Sequence, residues 1–312
     1  MTEYAMAVSA VKAMENTLLN RADIEQLINS SGKSAMNNVL SAKRGAGNEN
    51  ISLQDVWNLI KGYAPDCKII DILLYKNDFH NLKAVLKAVI SGKDPKNYYI
   101  SPTNADLENL DKIILAKDYE KLPLYMRNTA ENAYNMLTET LDGEIADSFI
   151  DSSALSVILQ SAENSKSEFM KKYAELTAGC ADIKTAYRCS KMRKTRKFME
   201  IAVCGTPELE KDLLIEQAVK GTDELFRYIE NTSYCEAVKL LQESTAKFEK
   251  WCDDALMQLA KEWGMKSFGY EPLASYYIAY EAEIKNIRII SVCKECGTEN
   301  SVISERMREL YV

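Results

Sequence analysis

Few residues of this chain are of types that do chemistry, and their spacing limits what they could do. Cys293 and Cys296 form a CxxC pair, which could chelate zinc or cycle between thiol and disulfide. A zinc site needs four ligands, and no second CxxC exists. The single histidine, His80, lies far off in sequence. Gly32-Lys33-Ser34 matches the tail of a phosphate loop. The glycine required five residues earlier is Leu27, so the backbone cannot wrap a phosphate. Asp253-Asp254 could hold magnesium beside a third acid, but the place three residues on is Met257. With one histidine, preceded by Asn77 three residues earlier, di-iron sites and Ser/Cys–His relays lack their base. We therefore expect no catalytic residues, no metal, no cofactor and no small-molecule ligand. The CxxC reads as two thiols at a helix end, the acidic pair as a solvated helix face, and the Gly-Lys-Ser stretch as a loop between helices.

One polar pattern does recur. "DFHNLK" presents Asp78, Asn81, Leu82 and Lys83, and "EIKNIR" presents Glu283, Asn286, Ile287 and Arg288. Between them "DIKTAYR" presents Asp182, Thr185 in the Asn place, and Arg188 one residue late. Residue 182 lies 104 places after 78, and 283 lies 101 after 182, in a chain of 312. A period that divides the chain so evenly predicts three related modules, 1–103, 104–205 and 206–312. On a helix at about 100° per residue, Leu273, Tyr277, Tyr280, Ile284 and Ile287 form one stripe. Glu283 and Arg288 are then expected at its edges, with Asn286 further round. Such groups could be polar pins that fix how helices dock within each module. Alternatively they could line a shared interior and touch a partner. One acid per module cannot make an acid/base pair.

The elements that must position these groups all read as helices. Tyr4, Ala7, Val8, Val11, Met14 and Leu18 give one buried stripe. Asp23 and Gln26 are expected to cap "IEQLI", and 41–52 to form a loop. "GKDPKNYYISPTNAD" (92–106) reads as a linker, and "CGTPELEKD" (204–212) as a second boundary with a helix starting at Thr206-Pro207. Pro272 opens a last long helix. Only 6 prolines and 12 glycines interrupt the chain, and no run alternates as a strand does, so about 70 % helix is expected.

Composition removes other classes. The net charge is −7 with no Lys/Arg cluster, which argues against a nucleic-acid partner. The opening lacks a signal peptide's basic and apolar regions, and no run reaches about 18 apolar residues, so a cytoplasmic protein is expected. Eight scattered cysteines are expected as reduced thiols.

"GYEPLASYYIAYEAEIKNIRII" and the closing "ISERMRELYV" resemble the C subunits of the archaeal and bacterial A/V-type rotary ATPases, relatives of the d subunit of eukaryotic V-ATPases. The shared pattern is carried by Gly269, Glu271, Pro272 and Leu273, then Glu283, Asn286, Arg288 and Ile290, then Arg308, Tyr311 and Val312. Tyr4, Ala5, Ala7, Val8, Glu15, Leu18 and Leu19 resemble the family's first helix, and "DFHNLK" its first-lobe signature. Thr185 departs from the pattern. The resemblance implies an all-α, funnel-shaped protein with three similar lobes around a pseudo-threefold axis. It implies a non-catalytic part that receives the D and F shaft subunits and rests on the membrane proteolipid ring. Such a protein is peripheral to the membrane, meets it only through other subunits, and passes torque between ATP turnover and proton or sodium movement. The repeated polar residues are then lobe-signature or partner-contact candidates.

Overall fold

The computed structural model describes residues 3–312. Helix accounts for 74 % of the described residues, and no strand occurs among them. The chain begins with α1 (Ala5–Glu15), α2 (Arg21–Asn29), α3 (Lys33–Arg44) and α4 (Leu53–Tyr63). Then come α5 (Tyr75–Ser91), α6 (Leu110–Leu115), α7 (Arg127–Thr140), α8 (Gly143–Ser165) and α9 (Glu168–Lys191). After them run α10 (Arg196–Ala202), α11 (Lys211–Lys220), α12 (Thr222–Ile229) and α13 (Cys235–Glu243). The last are α14 (Thr245–Gly264), α15 (Glu271–Glu295) and α16 (Asn300–Arg306). Among the described residues no helix is long and apolar enough to cross a membrane.

The helices gather into two compact units, one made of Met1–Ile70 with Leu240–Val312, the other of Asp71–Lys239. In the first unit α15 is the core element. Every residue from Pro272 to Tyr280 on it is buried, because α1, α4 and α14 all pack against it. Trp57 of α4 meets Tyr277 edge-on, with ring centroids 5.5 Å apart, a geometry aromatic quadrupoles favour. A second cluster joins Leu27, Ile28 and Leu40 of α2 and α3 to Ile290 and Ile303. In the other unit α5, α6, α7 and α8 share one apolar core around Phe79, Leu110, Met126 and Ile150. Helix α9 is buried along its length from Phe169 to Cys189.

Several local expectations change. The cap of α2 is Asn20, whose side chain accepts from the Asp23 N–H while Asp23 accepts from the Asn20 N–H. Asp23 thus plays the reciprocal role, and Gln26 has none in the cap. Helix α3 runs through Arg44, so the expected loop at 41–52 starts only at Gly45. Lys33 and Ser34 sit in its first turn rather than in a loop. Thr206-Pro207 starts no helix: the Leu209 N–H bonds to Thr206 Oγ1, and α11 begins at Lys211. Pro272 does open α15. The narrow stripe drawn on α15 is too narrow, because contact from several sides buries Glu283 and Asn286 as well, while Ile284 and Ile287 stay partly open. The eight cysteines are free thiols, with Cys293 buried and Cys296 exposed at the end of α15.

Candidate functional site

Asp78, Asp182 and Glu283 each lie within a long helix, which would ordinarily place a carboxylate against solvent or a neighbouring turn. Here each is buried, at 0 %, 0 % and 3 % exposure. A buried carboxylate is tolerated only if its lone pairs are filled. In all three cases at least one donor is a backbone N–H of a distant chain segment.

Asp78 is the best satisfied. Oδ1 accepts from the Asn104 N–H at 2.8 Å, the Ala105 N–H at 3.0 Å, and the Thr103 hydroxyl. Oδ2 accepts from the Tyr125 hydroxyl at 2.5 Å and the Asn104 amide at 3.2 Å. Burial, with Asp78 beside it, pushes the Tyr125 phenol far above its ordinary range, so it stays a donor. Nearby, Asn81 accepts from the Ile100 N–H at 2.8 Å and donates to the Ile100 carbonyl at 2.9 Å. Asn77 donates to the Pro102 carbonyl at 2.7 Å. The segment expected as a linker is therefore bolted to α5 along its length.

Asp182 holds the second boundary more sparely. It accepts from the Cys204 N–H at 2.9 Å and the Gly205 N–H at 2.6 Å. Gly205 has φ +86°, and a β-carbon there would lie 2.8 Å from Lys211 Cβ, so only glycine presents that N–H at that distance. Two bonds do not offset full burial, and desolvation raises the Asp182 carboxyl to about 6. Thr185 lies part-buried one turn on and has no carboxamide to repeat the Asn81 clamp.

Glu283 ties α15 to the amino-terminal helices. It accepts from the Leu19 N–H and from the Arg44 guanidinium. Arg44 also donates to the Glu49 carbonyl at 3.0 Å and lies 5.1 Å from the Tyr280 ring centroid. Burial pushes the Glu283 carboxyl up, while Arg44 and the Leu19 N–H pull it down. Asn286 repeats the Asn81 clamp: it accepts from the Arg308 N–H at 2.8 Å and donates to the Arg308 carbonyl at 3.2 Å.

The remaining expected residues lie outside these joints. Lys83 is paired with Asp151 at 2.5 Å. Arg188 and Arg288 are exposed. Glu271 sits in the first turn of α15, paired with Lys266 at 2.8 Å, where a carboxylate also complements the helix dipole. Arg44, Tyr125 and Gly205 are essential members that the repeated pattern does not contain. Gly205 alone carried a signal, as the glycine of a loop next to Thr206-Pro207. The three carboxylates are consumed by their own chain, and no group of three or more His, Cys, Asp or Glu that could hold a metal occurs among the described residues. What these sites can do is fix joints.

The chain matches the ATP synthase (C/AC39) subunit family over residues 7–306. It is also 22 % identical over 326 aligned positions to the C subunit of the V-type sodium ATPase of Enterococcus hirae, covering 99 % of each chain. With that match running through all three carboxylate joints, the chain belongs to the ATP synthase (C/AC39) subunit family.

Proposed function

We propose that this chain is the non-catalytic C subunit of a V/A-type rotary ATPase or ATP synthase. In this reading it is a socket that receives the D and F shaft subunits and rests on the proteolipid ring. It couples shaft rotation to proton or sodium movement. The observation that carries the reading is the match to the C subunit of a V-type sodium ATPase over 99 % of each chain. The joints support it mechanically. A part that transmits torque must keep its modules in one relative register, and buried carboxylates that accept backbone N–H groups are specific in geometry. We further propose that residues 1–103, 104–205 and 206–312 form three repeated lobes around a pseudo-threefold axis. Asp78, Asp182 and Glu283 would then be equivalent positions, with the shaft in a central funnel.

The test is native purification. The tagged chain is extracted with its membranes in mild detergent, and what elutes with it is identified. Catalytic subunits, shaft subunits and a small proteolipid in fixed ratio are expected. Elution alone, with an intact rotary ATPase found in other fractions, would reduce the protein to a free-standing helical scaffold.

A further inference from the structure

Each helix that carries a repeated acid also lines an open groove with the face beyond that acid. On α5 the lining residues begin with His80, Lys83, Ala84, Lys87 and Ala88, and Ile90 and Ser91 follow at the helix end. On α15 they are Lys285, Arg288, Ile289, Val292 and Cys293. Counted from Asp78 and from Glu283, the first five on α5 and the five on α15 stand at the same offsets. On α9 the residues are Thr185, Arg188, Cys189 and Met192, displaced by one. The late Arg188 of the middle motif therefore still faces the groove. A cation stands at the matching place in all three.

What meets that cation differs. In the α5 groove Lys83 pairs with Asp151 at 2.5 Å and Lys87 with Asp147 at 2.6 Å. Both acids come from the first turns of α8, where Glu144, Asp147 and Asp151 form one stripe at i, i+3 and i+7. Glu144 completes the stripe by pairing with Lys194 at 2.7 Å beside the α9 groove. An acidic helical face is thus what the α5 cations, and Lys194 beside the α9 groove, already take within the chain.

In the α15 groove the facing acids come from α14 and are already taken, Asp253 by Lys285 and Arg308 and Asp254 by Lys250, and none of them reaches Arg288. Helix α4 packs on α15 as α8 packs on α5, but it has 11 residues against 23. Its first-turn acid, Asp55, is used in its own capping box with Ser52. Arg288 makes no hydrogen bond or ion pair among the described residues. Arg306 reaches only the Cys293 thiol at 3.6 Å and donates nothing to a carboxylate. The groove holds about 870 Å³ between α14 and α16. Val292 and Val302 stand 50 % and 36 % exposed on its floor. Glu305 and six cations line it; Lys247, Lys250, Lys285 and Arg308 are paired with Glu243, Asp254 and Asp253, which leaves Arg288 and Arg306 without a carboxylate.

We propose that the groove along Arg288 and Val292, between α14 and α16, docks an acidic amphipathic helix of a partner protein. Its carboxylates would be spaced as Glu144, Asp147 and Asp151 are, with apolar residues reaching Val292 and Val302. A helix fits because the groove is concave and its floor is apolar, whereas a flat anionic bilayer would meet only the rim. This site does not depend on the rotary-motor reading.

The probe is a fluorescent peptide of residues 143–157, held helical by a staple on its solvent face and titrated by anisotropy into the full chain. Saturable binding that falls as salt rises is expected. Arg288→Glu and Val292→Asp, each checked for native thermal unfolding, should weaken it about tenfold or more. A peptide carrying E144K, D147K and D151K should bind Arg288→Glu better than the native chain. No binding, or binding indifferent to both substitutions, overturns the proposal. So does a chain that ignores the peptide yet sediments with phosphatidylglycerol vesicles through Arg288, which would make the groove a lipid-headgroup seat.

Discussion

The joints at Asp78 and Asp182 place the same residue type at the same depth, on helices of one compact unit, and they are built to different standards. Asp78 receives donors from two backbone amides, two hydroxyls and one carboxamide. Asp182 receives two backbone amides. The neighbouring position differs with it, Asn81 in one and Thr185 in the other. The difference follows from what approaches each joint. Tyr99 and Ile100 come in extended, with no ladder to satisfy them, and Asn81 supplies both missing partners. The chain reaching Cys204 arrives from α10, where the Val203 N–H bonds to the Met199 carbonyl and the Ile201 carbonyl accepts from the Ser152 hydroxyl. A carboxamide there would have nothing to clamp. Arg308, again outside any helix, again meets an asparagine, Asn286. The Asn place in the motif thus tracks the conformation of the incoming segment, and the acid tracks the joint itself.

The largest effect expected from this contrast is at Asp78. Asp78→Ala orphans the Asn104 N–H and two part-buried hydroxyls and leaves the Ala105 N–H only Thr103 Oγ1, and should cost about 3–5 kcal/mol in urea unfolding of the full chain. A cost below that of Asp182→Ala would break the comparison. Asp182 should instead show itself through pH. Its carboxyl holds a proton more tightly folded, near 6, than unfolded, near 3.8. Its stabilising contribution is therefore full below about pH 4 and is lost as pH rises through about 6, roughly 3 kcal/mol in all. Unfolding of the native chain and of Asp182→Asn, compared from pH 4 to 7, should diverge over that window. Parallel curves would mean the carboxylate is better solvated than its burial implies. Next, Asn81→Ala should cost about 1–3 kcal/mol by leaving the Ile100 amide unpaired, and should speed hydrogen exchange there. Smallest is Thr185→Asn, expected within about 0.5 kcal/mol of the native chain. A clear gain would show that the middle joint has room for the clamp after all.

Much of this was legible in the residues, for definite reasons. Helical periodicity and scarce breakers gave the all-helical class, because both act locally. The acid-Asn pattern marked the joints, because a polar pair inside an apolar helical run needs a partner. The partners themselves were hidden. Arg44 lies 239 residues from Glu283, and no local pattern encodes a meeting at that distance. Tyr125 looked like any core aromatic. Edge placement of Glu283 failed because a stripe assumes contact on one side, and α15 is packed on several. Thr206-Pro207 misled because the threonine hydroxyl closes a turn there instead of capping a helix.

The way the first compact unit is assembled from Met1–Ile70 and Leu240–Val312 has a consequence for biosynthesis. The contiguous unit, Asp71–Lys239, can complete its core as soon as that stretch leaves the ribosome. The amino-terminal helices cannot. The Leu19 amide and the Arg44 guanidinium must wait for Glu283, far along the chain, while Leu27, Ile28 and Leu40 wait for Ile290. Made first, this region matures last, and its apolar faces are open to chaperones throughout translation. A chain stalled or cut between Lys239 and α15 would carry a finished middle and an unfinished beginning.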